Sequence, residues 1–405
     1  MAGNEMVTSI PLPEFYLWNK LREQKAPLSF EIEITARCNN SCSHCCINLP
    51  ANDRLAQEKE LSFQEIKEIA NQAVEMGSLW CLITGGEPLL REDFCDIYLY
   101  LRQKGLLVSV FTNATLISEK HISLFKKYPP RDIEVSVYGV TQETYERVTR
   151  SPGSFEKFFR GLSRLLENNI HVRLKAMALH SNFEEFPEIA SFCRNITKDY
   201  FRFDPFLHLR FDGDRTRNDE IKTERLAPED IIALERSDVD RFKALKAITP
   251  KLTTNGTFMT NRNRLFGCGA GKESFSVSCD GIFRLCSPLW HPDYIYDLRR
   301  GTLGEAWWDF VPWVRERKSQ KRAFVEKCGS CPLINLCMWC PAHAHLESGE
   351  LDSHIQYFCN IAKARAAALM NEQFYWEGTN EESMGKAQDG SSGKRQAGGG
   401  YCWSL

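Results

Sequence analysis

Between residues 29 and 236, short runs of β-branched and aromatic residues alternate with longer segments of helical periodicity. The runs SFEIEIT (29–35), LWCLIT (79–84), LLVSVFT (106–112), IEVSVYG (133–139), HVRLKAMAL (171–179) and YFRFDPF (200–206) predict strands. The segments 62–76, 91–105, 118–128 and 154–169 predict helices, and Ser62 with Glu65 three residues on marks an N-terminal cap. Six strands alternating with helices predict an α/β fold with a parallel sheet and right-handed crossovers. The expected architecture is a partial (β/α)6 TIM-like barrel, with chemistry at the C-terminal ends of its strands.

The pattern changes downstream. A polar bridge (210–230) and one further helix lead into a cysteine-rich region in which SFSVSCDGIFRLC (274–286) predicts a hairpin turning at Asp280-Gly281. The tail is rich in glycine and polar residues and is expected to be disordered. The expected organisation is an N-terminal extension (1–28), a barrel (29–236), a bridging segment (237–263), a small cysteine-rich domain with a hairpin and helices (264–370), and a tail (371–405).

Composition narrows the function. The chain has 405 residues, a formal net charge of −2, 43% hydrophobic and 26% charged residues, as in an ordinary soluble enzyme. That balance gives no electrostatic reason to expect nucleic acid or anionic membrane as a partner. The basic run 315–322 reads as a solvated helix end. No signal-peptide pattern and no membrane-spanning apolar run is present, so the expectation is a cytoplasmic protein whose thiols stay reduced. Sixteen cysteines then argue for metal or redox chemistry rather than disulfides. Three candidate ligands lie at 38–45 and seven more between Cys268 and Cys359, so one metal centre is expected early and one or more late.

The early group, ARCNNSCSHCC (36–46), spaces Cys38, Cys42 and Cys45 as C-x3-C-x2-C directly after the first strand. Three thiolates in one loop leave the fourth iron of a cubane open, as catalytic metal sites leave a position free. A zinc site completed by His44 or by a distant residue is the alternative. TGGEPLL (84–90) follows the second strand at the same end of the barrel. Gly85 and Gly86 permit close backbone approach to a ligand, and Glu87 and Pro88 fix a turn with exposed carbonyls and one carboxylate, suited to an ammonium group.

With both motifs in place, the chain resembles a radical S-adenosylmethionine (SAM) enzyme over about residues 29–236. The resemblance implies a [4Fe–4S] cluster on Cys38, Cys42 and Cys45 whose open iron is chelated by SAM, with Gly85 to Pro88 holding the SAM amino group. It implies His44 near the adenine, Asn113 and Ser136 at the ribose or carboxylate, and Arg150 pairing the carboxylate, with Arg147 as the alternative.

The late cysteines read C-x12-G-x4-C, then C-x2-C-x5-C-x2-C, then C, and resemble the SPASM extension carried by a subset of these enzymes. The final gap of the central run is x2 here, where the family pattern has x3. The resemblance implies two auxiliary [4Fe–4S] clusters, one on Cys328, Cys331, Cys337 and Cys359 and one on Cys268, Cys286 and Cys340. The second is either completed by Cys279 or left open to a substrate thiolate.

Enzymes of this kind cleave SAM reductively and abstract hydrogen from a peptide or protein, giving cross-links, thioethers or oxidised side chains. Others make quinone or haem-type cofactors, and a non-catalytic iron–sulfur electron carrier is the distant alternative. The implied partners are a peptide or protein substrate, an electron donor such as flavodoxin or ferredoxin, and, because only about 28 residues precede the first strand, a leader-binding protein on a separate chain. Asp204, His208, Arg210 and Asp212 are substrate contacts or rim salt bridges. Tyr401, Cys402 and Trp403 are a self-modified tail or an inert end.

Overall fold

The computed structural model describes residues 23–197, 201–253, 263–337 and 339–370. Six parallel strands form in the expected order: β1 (Ser29–Thr35), β2 (Trp80–Gly85), β3 (Leu107–Thr112), β4 (Asp132–Val137), β5 (Val172–Met177) and β6 (Arg202–Asp204). The last is shorter than the sequence suggests, and its expected first residue, Tyr200, lies outside the described residues. Between the strands run α1 (Phe63–Glu75), α2 (Phe94–Gln103), α3 (Glu119–Lys127), α4 (Gln142–Thr149), α5 (Ser154–Glu167) and α6 (Phe186–Ile196). The cap on α1 forms as a full capping box: Ser62 Oγ accepts the Glu65 N–H while Glu65 accepts the Ser62 N–H at 2.7 Å. The sequence did not reveal α4 because its segment is short and largely polar, with Tyr145 and Val148 as its buried apolar anchors.

Strand alternation sorts the side chains. Ile32, Ile34, Ile83, Val110, Val135 and Leu174 lie on the fully buried face. Glu31, Leu82, Phe111, Ser136 and Lys175 lie on the other face and stay partly accessible, so the interior is an open polar chamber rather than an apolar core.

The barrel does not close. The sheet ends at β6 on one side, while on the other β1 pairs in parallel with β7 (Ser274–Val277), followed by β8 (Ile282–Arg284) and β9 (Tyr296–Asp297). The hairpin at Asp280-Gly281 therefore forms, with Gly281 at φ +87°, and its first strand extends the barrel sheet. It satisfies the backbone groups that β1 would otherwise expose at an edge. Phe30 stacks on Phe275 at 5.5 Å, and Phe275 on Phe283 at 5.2 Å, which fixes the register of the added strands.

The described residues form two compact units, 23–225 with 270–315 and 226–253 with 263–269 and 316–370. The polar bridge of the first unit contains α7 (Arg215–Thr223). In the second unit the expected single helix is two, α8 (Pro228–Ser237) and α9 (Val239–Thr253), followed later by α10 (Pro341–Ser348) and α11 (Gln356–Leu369). Arg365 on α11 is buried against the Glu235 carboxylate of α8 and also donates to the Leu336 carbonyl at 3.0 Å, so this charge is paired on every side. Among the described residues no helix is long and apolar enough to cross a membrane.

Candidate active site

The cysteine loop leaves β1 at its C-terminal end and is fastened at several points. Arg37 and Cys38 pair with Leu49 and Pro50 in a short parallel ladder. Ser41 N–H donates to the Thr149 carbonyl at 2.9 Å and Ser43 N–H to the Val148 carbonyl at 3.1 Å, clipping the loop to the end of α4. Arg217 of α7 donates to the Cys42 carbonyl at 2.7 Å and to Asn48 Oδ1 at 3.2 Å.

This fastening gathers the thiols into one electrostatic neighbourhood. Burial pushes the Cys38 thiol up to about 12, with Glu87 and Cys45 adding to the rise, while hydrogen bonds from the Asn40 N–H (3.4 Å) and Asn113 Nδ2 (3.8 Å) oppose it. Burial also raises Cys42 well above the ordinary thiol value, and the neighbouring Cys45 and Cys38 raise it further. Thiolates are disfavoured at such a place unless a cation compensates them. The amide atoms of Asn40 and Nδ1 of His44 are buried without a hydrogen-bond partner, as befits groups awaiting a bound one. His44 is held neutral by burial, which lowers it to about 4, and its ring lies 5.1 Å from that of Tyr138. Among the described residues no three His, Cys, Asp or Glu side chains converge as they would round a single ion. An iron–sulfur cluster asks for something different: thiolates placed round a larger body, on separate irons. The donor set fits that group.

The GGEP loop sits against the same backbone. Gly86 N–H donates to the Thr35 carbonyl at 2.7 Å and Glu87 N–H to the Arg37 carbonyl at 2.9 Å. A Cβ on Gly85 would lie 2.1 Å from the Thr35 oxygen, and one on Gly86 2.3 Å from the Arg37 oxygen. The two glycines thus permit close approach to the cysteine loop itself. The Glu87 carboxylate, expected to be exposed, is fully buried. It accepts from Thr112 Oγ1 at 2.8 Å, Asn113 N–H at 2.8 Å and Leu89 N–H at 3.1 Å, because the loop's inward turn brings it under the end of β3. Pro88 is also buried, opening a single 3-10 turn. Asn113 in turn donates to Asn39 Oδ1 at 3.0 Å and accepts from Thr115, linking three segments.

Ser136 lies half-buried on β4 and hydrogen-bonds Tyr138, which stands within the field of Cys42 and Cys45. Arg150, at φ +51° after α4, is partly exposed and pairs with Glu220 at 2.8 Å. Arg147 is bound to the Ser181 carbonyl at 2.8 Å. Arg210 is buried, forms an ion pair with Asp212 and donates to the Asn48 carbonyl at 3.2 Å; it serves the cysteine loop from the rim. Asp204 caps its own turn through the Phe206 N–H at 2.9 Å, and His208 is half-buried on the same segment. Sequence reasoning missed Arg217, Asn39 and Thr115, which carry no motif and reach the site only through folding.

In the second unit, Cys328, Cys331, Cys337 and Cys359 share one electrostatic neighbourhood: burial raises Cys328 to about 11 and Cys337 to about 12, and their fellow thiols add to both. Cys340 stands with Cys268 as its principal thiol neighbour, and its sulfur accepts the His343 N–H at 3.3 Å as the cap of α10. Trp339 is fixed by a 2.7 Å bond to the Ser353 carbonyl; Met338 lies outside the described residues. Cys286 belongs to the first unit. Cys279 is set against Glu33 and Glu60 and accepts the Ala36 N–H. The tail residues Tyr401, Cys402 and Trp403 lie outside the described residues.

Residues 32–193 match the family model for the radical SAM superfamily. The chain is 25% identical over 343 residues to the antilisterial bacteriocin subtilosin biosynthesis protein AlbA of Bacillus subtilis (strain 168), covering 77% of this chain and 71% of that protein. It is also 25% identical over 332 residues to Fe-coproporphyrin III synthase of Methanosarcina barkeri (strain Fusaro / DSM 804), covering 75% of this chain and 80% of that protein. In fold it is similar to Streptococcus suis SuiB bound to its precursor peptide SuiA, with a TM-score of 0.63 at 18% identity over 89% of this chain and 84% of that one. Native anSMEcpe with bound AdoMet and Cp18Cys peptide gives a TM-score of 0.58 at 15% identity over 85% and 98%. The superfamily's resident groups are a [4Fe–4S] cluster and SAM, and the C-terminal cysteines fit a SPASM extension. The three-thiol loop stitched beneath a Gly-Gly-Glu-Pro turn, on an open parallel barrel, thus agrees with the sequence match: residues 32–193 are a radical SAM domain, the core of an enzyme.

Proposed function

We propose that the enzyme modifies a peptide or protein after translation. The observation that carries the chemistry is the fastening of the GGEP loop to the backbone on either side of Ala36, which sets Cys38, Cys42 and Cys45 at the mouth of the barrel. Cys38, Cys42 and Cys45 would hold the [4Fe–4S] cluster, which with SAM would supply the reductive chemistry for removing hydrogen from a substrate. The protein's own part is placement: Asn113 and Asn40 direct hydrogen bonds at the Cys38 sulfur, and Arg217 holds Cys42. His44, Ser136 and Arg150 are proposed SAM contacts, and Arg150 reaches that role by exchanging its Glu220 partner for the SAM carboxylate.

Two auxiliary clusters complete the proposal. One uses Cys328, Cys331, Cys337 and Cys359, whose mutual proximity supports it. The other is proposed on Cys268 and Cys340, which neighbour each other in the second unit. The electron donor is proposed to be a flavodoxin or ferredoxin and the leader-binding protein a separate chain.

The similarity to AlbA and the fold shared with SuiB support a peptide substrate. The similarity to Fe-coproporphyrin III synthase favours a second reading, tetrapyrrole chemistry. The barrel interior speaks for the first. Among the described residues Lys175, Arg173, Arg202 and Arg284 each lie against an acid, so a multiply carboxylated porphyrin would have to displace several ion pairs at once. The test is anaerobic reconstitution with dithionite and SAM, then co-expression with a small neighbouring open reading frame. Deoxyadenosine together with a peptide mass shift supports the proposal. Deoxyadenosine with turnover of an iron porphyrin and no peptide shift moves the assignment to the second reading.

A further inference from the structure

The inward face of the barrel carries ionisable groups that the cluster site does not use. Glu33 pairs with Arg284 at 2.8 Å, and Arg284 also lies over the Trp290 ring at 3.9 Å, which itself stacks on Phe211 at 3.8 Å. Lys175 pairs with Glu134 at 2.9 Å and lies over the Phe111 ring at 4.1 Å. Arg202 approaches the same Glu134 at 3.2 Å, and Arg173 pairs with Asp132 at 3.5 Å. Each base is committed.

Glu31 is the exception. It sits two residues before Glu33 on β1 and so on the same face. It is only half-buried, opening onto the interior, and makes no hydrogen bond or ion pair among the described residues. The charged or titratable groups that face it are Glu33 on its own strand, Arg284 from β8, Lys175 from β5 and the buried Cys81 thiol from β2. A carboxyl kept without a partner in such a place costs free energy. Arg284 and Lys175, the two bases that face it, are held by Glu33 and Glu134, so an ionised Glu31 has no base of its own for a partner and can take up an incoming cation.

We propose that Glu31 receives a protonated amine or guanidine of the substrate inside the barrel, below the cysteine loop. This rests on the radical SAM peptide-modifying reading and deepens it by naming the substrate's recognised group. Four residues separate Glu31 from the end of β1 at Thr35, roughly 13 Å of strand. Recognition therefore occurs deep in the chamber, and a substrate that engages Glu31 while reacting near the cluster loop carries its cation well away from the reacting atom. Burial, then the charge of Glu33, pushes Glu31 up to about 7, with Arg284 and Lys175 pulling the other way. The empty residue is thus partly protonated at neutral pH and ionises when the cation arrives.

The experiment is calorimetric titration of the reconstituted enzyme, with SAM, against n-butylammonium, n-butylguanidinium and butyrate at about pH 6 and about pH 8. The cations are expected to bind about tenfold tighter at the higher pH, following the ionised fraction of Glu31, and butyrate to bind more weakly than either. Glu31→Gln should weaken cation binding by about tenfold at pH 8 and flatten the pH dependence. Glu31→Asp should keep the pH dependence with lower affinity, which separates recognition from a structural role. Equal cation binding by wild type and Glu31→Gln, or a wild-type preference for butyrate, overturns the inference. Failure of the wild type to form deoxyadenosine in a parallel assay overturns the underlying reading instead.

Discussion

The Glu87 carboxylate accepts the backbone N–H of Asn113 at 2.8 Å, and the Asn113 side chain reaches the Cys38 sulfur at 3.8 Å. The acid of the GGEP motif thereby acts as a brace between two barrel strands and the first cysteine. Glu87→Gln presents an N–H₂ where backbone and hydroxyl donors already converge. The expected result is a loss of about 1–3 kcal/mol in unfolding free energy, with a perturbed electron paramagnetic resonance signal from the N-terminal cluster. An unchanged denaturation midpoint and spectrum would remove the brace from the account.

Gly85→Ala and Gly86→Ala force a methyl against the Thr35 and Arg37 carbonyls. Each should displace the cysteine loop, lower the melting temperature by several degrees and weaken SAM binding at least tenfold. Isothermal titration with SAM reads the second effect directly, and wild-type affinity in either variant would contradict the geometry.

Arg217 and Arg150 share Glu220 but carry different loads. Arg217→Ala removes the bond to the Cys42 carbonyl and should cost about 1–2 kcal/mol and reduce iron at the N-terminal site. Arg150→Ala breaks a partly exposed pair worth at most about 1 kcal/mol; its proposed role appears as a raised KM for SAM with normal iron content. Iron assays and SAM kinetics on the two variants separate loop support from cofactor binding.

Three cubanes predict about twelve irons per chain. Replacing Cys38, Cys42 and Cys45 together with alanine should remove about four and abolish deoxyadenosine formation. Replacing Cys328, Cys331, Cys337 and Cys359 should remove a different four while SAM cleavage persists. Mössbauer spectroscopy with iron quantitation checks both.

Glu31 also predicts a pH dependence of stability. Its folded value near 7 exceeds the ordinary 4.5, so the folded state holds its proton over a range where the unfolded chain has released it. Stability should therefore rise as pH falls from about 7.5 to about 5, by on the order of 2–3 kcal/mol from this group. Glu31→Gln should remove that share of the slope in anaerobic denaturant titrations at each pH.

The strands were legible because period-2 alternation and β-branched composition survive in isolation, and α1, α2, α3 and α5 because apolar residues recur at helical spacing; α6, with Pro187 in its first turn, was not read from the sequence although Phe186, Ile189, Ala190 and Cys193 form a buried face. Helix α4 was not read either, since a short polar segment acquires helical structure from Tyr145 and Val148 packing inward. The hairpin could be read from Asp280-Gly281, but its union with β1 could not, because strand pairing over more than two hundred residues leaves no local signal. Glu87 was read as a ligand-facing acid, and its burial followed from the position of β3, which no motif encodes.

By itself, then, the sequence determined the chemistry: three thiols at fixed spacing after one strand, a Gly-Gly-Glu-Pro turn after the next, and a second cysteine array downstream. Reactive elements close together in the chain are visible there because their spacing is covalent. Only the tertiary structure decided which groups support and complement them. Arg217, Asn113, Glu31 and Arg284 stand far apart along the chain, and their pairing or lack of it depends on burial and through-space charge, which arise only when the strands are brought together.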